Sequence, residues 1–118
     1  MNKKELGKIG EDFAENYFKN KGFLISARNF RTPFGEIDLI AEKKNIIIFV
    51  EVKTRRTMDF GAPIEAVDNK KQEKIRFIAN YYLSKFGKKN LLVRFDVFSI
   101  ILDENNKIMK WEHIENAF

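Results

Sequence analysis

The chain contains no cysteine and only one histidine, His113. Disulfides, thiol nucleophiles and thiolate-bound metals are thereby excluded. A serine–histidine–aspartate triad would hang on that single histidine near the C-terminus, and a zinc centre of several imidazoles lacks the residues, so neither is expected. Any catalysis must rest on carboxylates and lysines, and any metal would be a hard cation with oxygen ligands. No apolar run reaches the ~20 residues of a membrane-spanning helix. The basic start, Asn2-Lys3-Lys4-Glu5, leads into an amphipathic segment without a signal-peptide core. The expected location is therefore the cytoplasm, with no membrane partner. Repeats, linkers and low-complexity stretches are missing too.

What remains is a chain able to fold. Its 118 residues, 44% hydrophobic with twelve phenylalanines, fit one domain spanning residues 1–118. The formal charge of +5 and a pI of about 9.4 suit a polyanion partner, although a lysine-rich surface also serves solubility.

Residues 3–21 read as a helix, with Leu6, Ile9, Phe13 and Tyr17 at helical spacing, joined by Gly10, Ala14 and Phe18. Gly22 closes it. Residues 23–27 read as a short strand and residues 28–35 as a basic turn punctuated by Pro33 and Gly35. Residues 36–42 and 46–53 read as a hairpin around a polar turn. Within it, the run from Ile46 to Val50 is apolar on both faces, as in a central strand covered on both sides. A long connection covers residues 54–67. A second helix runs from Asp68 or Asn69 to Phe86, with an apolar stripe of Ile75, Ile78, Ala79, Tyr82 and Phe86, closed by Gly87. Residues 91–102 and 108–114 supply two further strands. The order αβββαββ predicts one α/β domain, a central mixed sheet flanked by helices. Trp111 and the phenylalanines read as core, not as base-stacking platforms, and His113 as a partly exposed strand residue without a role.

The third strand carries an anomaly. Glu51 and Lys53 interrupt an apolar run, and period-two alternation puts both on one face, about 7 Å apart. Burying unpaired charge costs several kcal/mol, so compensation is required, and a cation in an open cleft would supply it. An ordinary ion pair at a strand end is the alternative. In the second strand, alternation places Ile37 and Leu39 on one face and Asp38 on the other. Across the hairpin Asp38 can approach Glu51, and two close carboxylates repel unless a cation such as Mg²⁺ intervenes. Taken alone, Asp38 is a surface acid near a turn. Glu11 lies at the edge of the first helix's apolar arc and can reach the sheet margin. Lys71 and Gln72 sit one turn before Ile75 and can lean over the same place.

Asp38 followed after twelve residues by Glu51-Val52-Lys53 resembles the PD-(D/E)XK motif of restriction-endonuclease-like folds, with Ile37 where the motif usually has proline. More specifically, the chain resembles the YraN-like family of small bacterial proteins. The matching stretches are Gly7 to Asp12, Gly35 to Ala41, Phe49 to Arg55, Arg94 to Val97 and Ile114 to Phe118, nearly the whole chain. That family is similar to archaeal Holliday-junction resolvases. The resemblance implies a single restriction-endonuclease-like domain and hydrolysis of phosphodiester bonds. Asp38, Glu51 and the Val52 carbonyl would hold Mg²⁺, with Mn²⁺ as a substitute. Lys53 would orient water or stabilise the transition state, Glu11 would assist through a water or a second metal, and Gln72 would help position the site. Arg28, Arg31, Arg55, Arg56 and Lys71 would contact phosphates, which positions a substrate without reading sequence. With no base-reading element in view, the expected activity is structure-selective cutting of branched, nicked or single-stranded DNA, by a homodimer where two symmetric cuts are needed. A non-catalytic nucleic-acid adaptor and an RNA-directed nuclease are the alternatives.

Overall fold

Asn2 opens the first helix, α1 (Lys3–Asn20), by accepting the Glu5 amide on its side chain at 2.8 Å, which satisfies one of the amides a helix start leaves unpaired. Gly22, at φ +92°, turns the chain out of it, and the Phe23 amide returns to the Phe18 carbonyl at 3.0 Å. The computed structural model describes residues 2–57 and 67–118. Five strands follow the order expected: β1 (Leu24–Thr32), β2 (Gly35–Lys43) and β3 (Ile46–Arg56), then helix α2 (Asn69–Lys85), β4 (Leu92–Leu102) and β5 (Ile108–Ile114). They form one mixed sheet in the order β1-β2-β3-β4-β5, with only β3 and β4 parallel.

The alternation of β3 divides the core. Ile48 and Val50 pack with Ala14 and Phe18 of α1, while Ile47 and Phe49 pack with Ile75, Ile78 and Tyr82 of α2. The two helices therefore cover opposite faces, which explains the unbroken apolar run. At Gly10 the contact between α1 and β3 is too close for a side chain: a Cβ there would overlap the Thr54 hydroxyl and lie 3.2 Å from Ile100 Cδ1. Gly10→Ala is expected to lower stability by about 1–3 kcal/mol, read as a shifted midpoint in urea unfolding.

Four expectations need correction. The strand expected to end at Ala27 continues to Thr32, leaving only Pro33 and Phe34 as its turn. Its arginines stay in the sheet because acids outside the strand neutralise them, Arg28 by α1 and Arg31 by Glu36 across the turn. At the far end, Thr54 to Arg56 belong to β3, paired with β4; residues 58–66 of the connection lie outside the described residues. His113 is a half-buried strand residue as expected, but it is not idle: its side chain is only 6% exposed and has two partners. Its Nδ1 lies 2.9 Å from the Tyr17 hydroxyl and its Nε2 2.7 Å from the fully buried Asp96. Trp111, expected in the core, is 46% exposed and stacks on Phe98 at 5.7 Å.

The Asp96 carboxylate also accepts two hydrogen bonds from Arg94 and one from the Asn116 amide, all at 2.9 Å. Phe118 stacks on Phe95 at 5.3 Å. The stretches Arg94–Val97 and Ile114–Phe118 are thus two sides of one structural clasp. Among the described residues, no helix is long and apolar enough to cross a membrane.

Candidate metal and phosphate site

Two-residue turns set the register that builds the site. Lys44, at φ +54°, and Asn45 close the β2–β3 hairpin, and the ladder runs from Lys43↔Ile46 to Leu39↔Val50. Asp38 and Glu51 occupy the next position, where that ladder stops. There Asp38 Oδ2 accepts the Val52 amide at 2.8 Å, so a side chain replaces the missing backbone partner. β3 stays paired with β4 as far as Arg56. The site therefore lies in a fork where β2 parts from a still-supported β3.

The fork also breaks the alternation expected of β2. Ile37 packs in the cluster beneath α2 and Leu39 in the one beneath α1, so they do not share a face. The cause lies in the β1–β2 ladder, which pairs Arg28↔Leu39 and Phe30↔Ile37. Between those pairs Asn29 adopts φ +53°, a left-handed backbone that asparagine tolerates better than most residues. With Asp38 bound to Val52, this twist turns both strands.

The two carboxyl groups lie close enough to perturb each other. Burial pushes the Asp38 carboxyl up to about 8, and neighbouring Glu51, then the Glu11 charge, add to it, against the Val52 amide. Glu51 Oε1 also takes the Lys71 ammonium at 3.2 Å. Burial, then the charge of Lys71, holds the Lys53 amine below its ordinary value. Lys71 moves the other way: Glu51 outweighs burial and raises it. Two carboxyls and two amines thus converge on the α2 side of the sheet.

The other expected residues divide around this centre. Val52 contributes its amide to Asp38. Glu11, expected as a further metal ligand, is turned aside: its Oε1 lies 3.2 Å from Asn29 Nδ2 and 3.4 Å from Arg28 Nε. Among the described residues, no third acid or imidazole joins the pair as a metal cluster. The Gln72 amide donates to the Val67 carbonyl at 3.0 Å, bracing the start of α2. Arg28, expected at phosphates, is held by Asp12 at 2.7 Å, Glu15 at 3.3 Å and Glu11. Its charge is already neutralised. Arg31 forms an exposed pair with Glu36 at 3.1 Å. Arg55 and Arg56 continue β3 beyond Lys53, and the Arg55 Nε is buried without a partner among the described residues.

Asn29 went unnoticed as a site residue, since its left-handed backbone shows in sequence only as an asparagine in a basic stretch. Phe34 and Phe77, expected in the core, are instead exposed. Their rings meet at 5.0 Å, from segments 43 residues apart.

The model of the uncharacterised protein family UPF0102 matches residues 10–100. A UPF0102 protein of Dictyoglomus thermophilum is 51% identical over 118 residues, all of both chains. One of Dictyoglomus turgidum is 48% identical over the same span. A UPF0102 protein of Thermodesulfovibrio yellowstonii is 51% identical over 114 residues, 97% of this chain and 96% of that one.

Proposed function

This chain belongs to the uncharacterised protein family UPF0102, and from its site we propose a metal-dependent endonuclease that hydrolyses phosphodiester bonds in DNA. One observation carries the reading: two carboxyl groups, Asp38 and Glu51, are pressed together with Lys53 and Lys71 beside them. The donor set fits a hard divalent cation such as Mg²⁺ or Mn²⁺, since it is all oxygen. The pair also gains from such an ion, because a carboxyl raised to about 8 by burial and a neighbouring acid is one that a cation would ionise.

Asp38 and Glu51 would hold the ion, with the Val52 carbonyl as a third oxygen. The chemistry it supplies is neutralisation of phosphate charge and acidification of water. The Val52 amide fixes the Asp38 carboxylate in the fork, so this ligand is oriented before an ion binds. Lys53 stands on the same face, where its amine can orient the attacking water and stabilise charge on the phosphoryl oxygens. Lys71 presently neutralises Glu51, and would exchange that carboxylate for a phosphate oxygen. Glu11 acts through its charge and through Asn29. Arg31, Arg55 and Arg56 remain the arginines suited to phosphates; Arg28 is set aside because three acids hold it.

Among the described residues nothing in this arrangement reads bases, so the substrate is selected by structure, and paired cuts at a branched site would call for a homodimer. The work would be done in the cytoplasm.

The test is a panel of junction, flap, nicked, single-stranded and RNA substrates with Mg²⁺ or Mn²⁺, beside Asp38→Asn and Lys53→Ala. Cleavage of branched or unpaired DNA by the wild type, lost in both variants, is the expected result. Cleavage undiminished in both would remove the assignment, and binding without cleavage would make the protein an adaptor. Lys71→Met removes the ammonium that competes for Glu51. Its Mn²⁺ affinity is expected to rise about fivefold, since a half-exposed ion pair is worth at most about 1 kcal/mol; isothermal titration calorimetry measures it.

A further inference from the structure

The outer face of α2 does not read as a solvated helix face. Lys70, Lys74, Phe77, Tyr81 and Lys85 follow one another at spacings of four, three, four and four residues, which places them in one stripe. Phe77 is 54% exposed, and Phe34, which meets it from the β1–β2 turn, is 57% exposed. Tyr81 continues the stripe, also exposed, with the Lys85 ammonium 5.6 Å from its ring centre. At the other end, Lys70, Lys71 and Lys74 surround an open hollow of about 240 Å³, with Asp68 as the one acid among the described residues. Lys71 joins that hollow to the fork through Glu51.

We propose that the Phe34–Phe77 pair is a stacking platform for an unpaired base of a nucleic-acid strand whose backbone passes over Lys70, Lys71 and Lys74. The inference rests on the nuclease reading for the position of the cut, and it names the feature of the substrate that the protein selects. Aromatic rings flanked by lysines suit bases joined by phosphates, because every base has a stackable face and every linkage a negative charge. The distance is suitable. Six residues of helix separate Lys71 from Phe77, about 9 Å along the axis, a span that a few nucleotides can cover. A base inside a duplex is already covered on both faces, so only a frayed, branched or single-stranded region can offer one. Charge argues against a second copy as the occupant: lysines rim the stripe at both ends, and the chain carries +5.

The test measures binding by fluorescence anisotropy in EDTA, so that no cleavage intervenes. A labelled single strand and a blunt duplex of equal length are titrated with wild type, Phe34→Ala/Phe77→Ala and Phe77→Trp. Both phenylalanines are more than half exposed, and thermal melting checks that the double variant folds. The expected result is a loss of about tenfold or more for the single strand in the double variant, less than twofold for the duplex, and retained affinity in Phe77→Trp. Three results would overturn the proposal: no binding of the single strand by wild type, equal loss on both ligands, or no loss on either. A dimer that the double variant disrupts in sedimentation, with single-strand affinity unchanged, would assign the stripe to a second copy instead. The nuclease reading fails separately, by absence of cleavage in Mg²⁺ while phenylalanine-dependent binding persists.

Discussion

Replacing Asp38 with asparagine is expected to abolish metal-dependent cleavage and, at the same time, to raise the melting temperature of the metal-free protein at neutral pH. The first effect follows from removing a charged ligand; losing several kcal/mol of transition-state stabilisation lowers the rate by about 10³-fold or more. The second follows from the position of the carboxyl. In the native state burial and Glu51 push it up to about 8, against about 3.9 in an unfolded chain. Between those values the native state binds more protons than the unfolded one, so stability falls as pH rises through that window. At pH 7 the penalty is on the order of a few kcal/mol. Asparagine keeps an oxygen for the Val52 amide but carries no charge. The variant is therefore expected to melt about 5–10 °C higher near pH 7–8, with the difference vanishing near pH 4. Thermal melts across that range in EDTA measure it. A variant that melts lower at every pH would make Asp38 a structural acid.

Asp96→Ala is expected to do the reverse. This carboxylate is fully buried on the α1 side of the sheet, level with Val50 and on the other face from Glu51. Burial alone would raise it, but hydrogen bonds from His113, Arg94 and the Asn116 amide outweigh burial and hold it below its ordinary value. Its contribution to stability is thus present above the unfolded value and is lost as pH falls through the native one. Truncation leaves Arg94, His113 and the Asn116 amide without their acceptor. The cost of breaking such a buried pair is about 3–5 kcal/mol, a fall in melting temperature of more than about 10 °C. Chemical denaturation at pH 7 measures it. Because the clasp lies across the sheet from the fork, the folded variant is expected to keep its cleavage rate at 20 °C within about threefold.

The contrast between these acids marks what the sequence could and could not convey. The convergence of Asp38 and Glu51 was legible because a short polar turn between two apolar strands fixes the register, and register alone brings them level. The helices were legible from their periodicity and from Gly22 and Gly87. The length of β1 was not, because the acids that make Arg28 and Arg31 tolerable in a strand stand at Glu11, Asp12, Glu15 and Glu36. Nor was the twist that separates Ile37 from Leu39, which depends on one left-handed asparagine in the neighbouring strand. His113 looked unemployed because Tyr17 and Asp96 reach it only once α1 crosses the sheet. Phe34 and Phe77 looked like core because large apolar side chains usually are, yet Phe34 stands in a turn and Phe77 off the stripe of Ile75, Ile78 and Tyr82.

The central claim is that Asp38 and Glu51 form a divalent-cation site, and titration of the purified protein with Mn²⁺, followed by the loss of its free-ion paramagnetic resonance signal, tests it most directly. Wild type is expected to take up Mn²⁺, and Asp38→Asn and Glu51→Gln are each expected to lose that uptake. Wild type that binds no Mn²⁺ at millimolar concentration, or variants that bind it as well as wild type, would contradict the assignment.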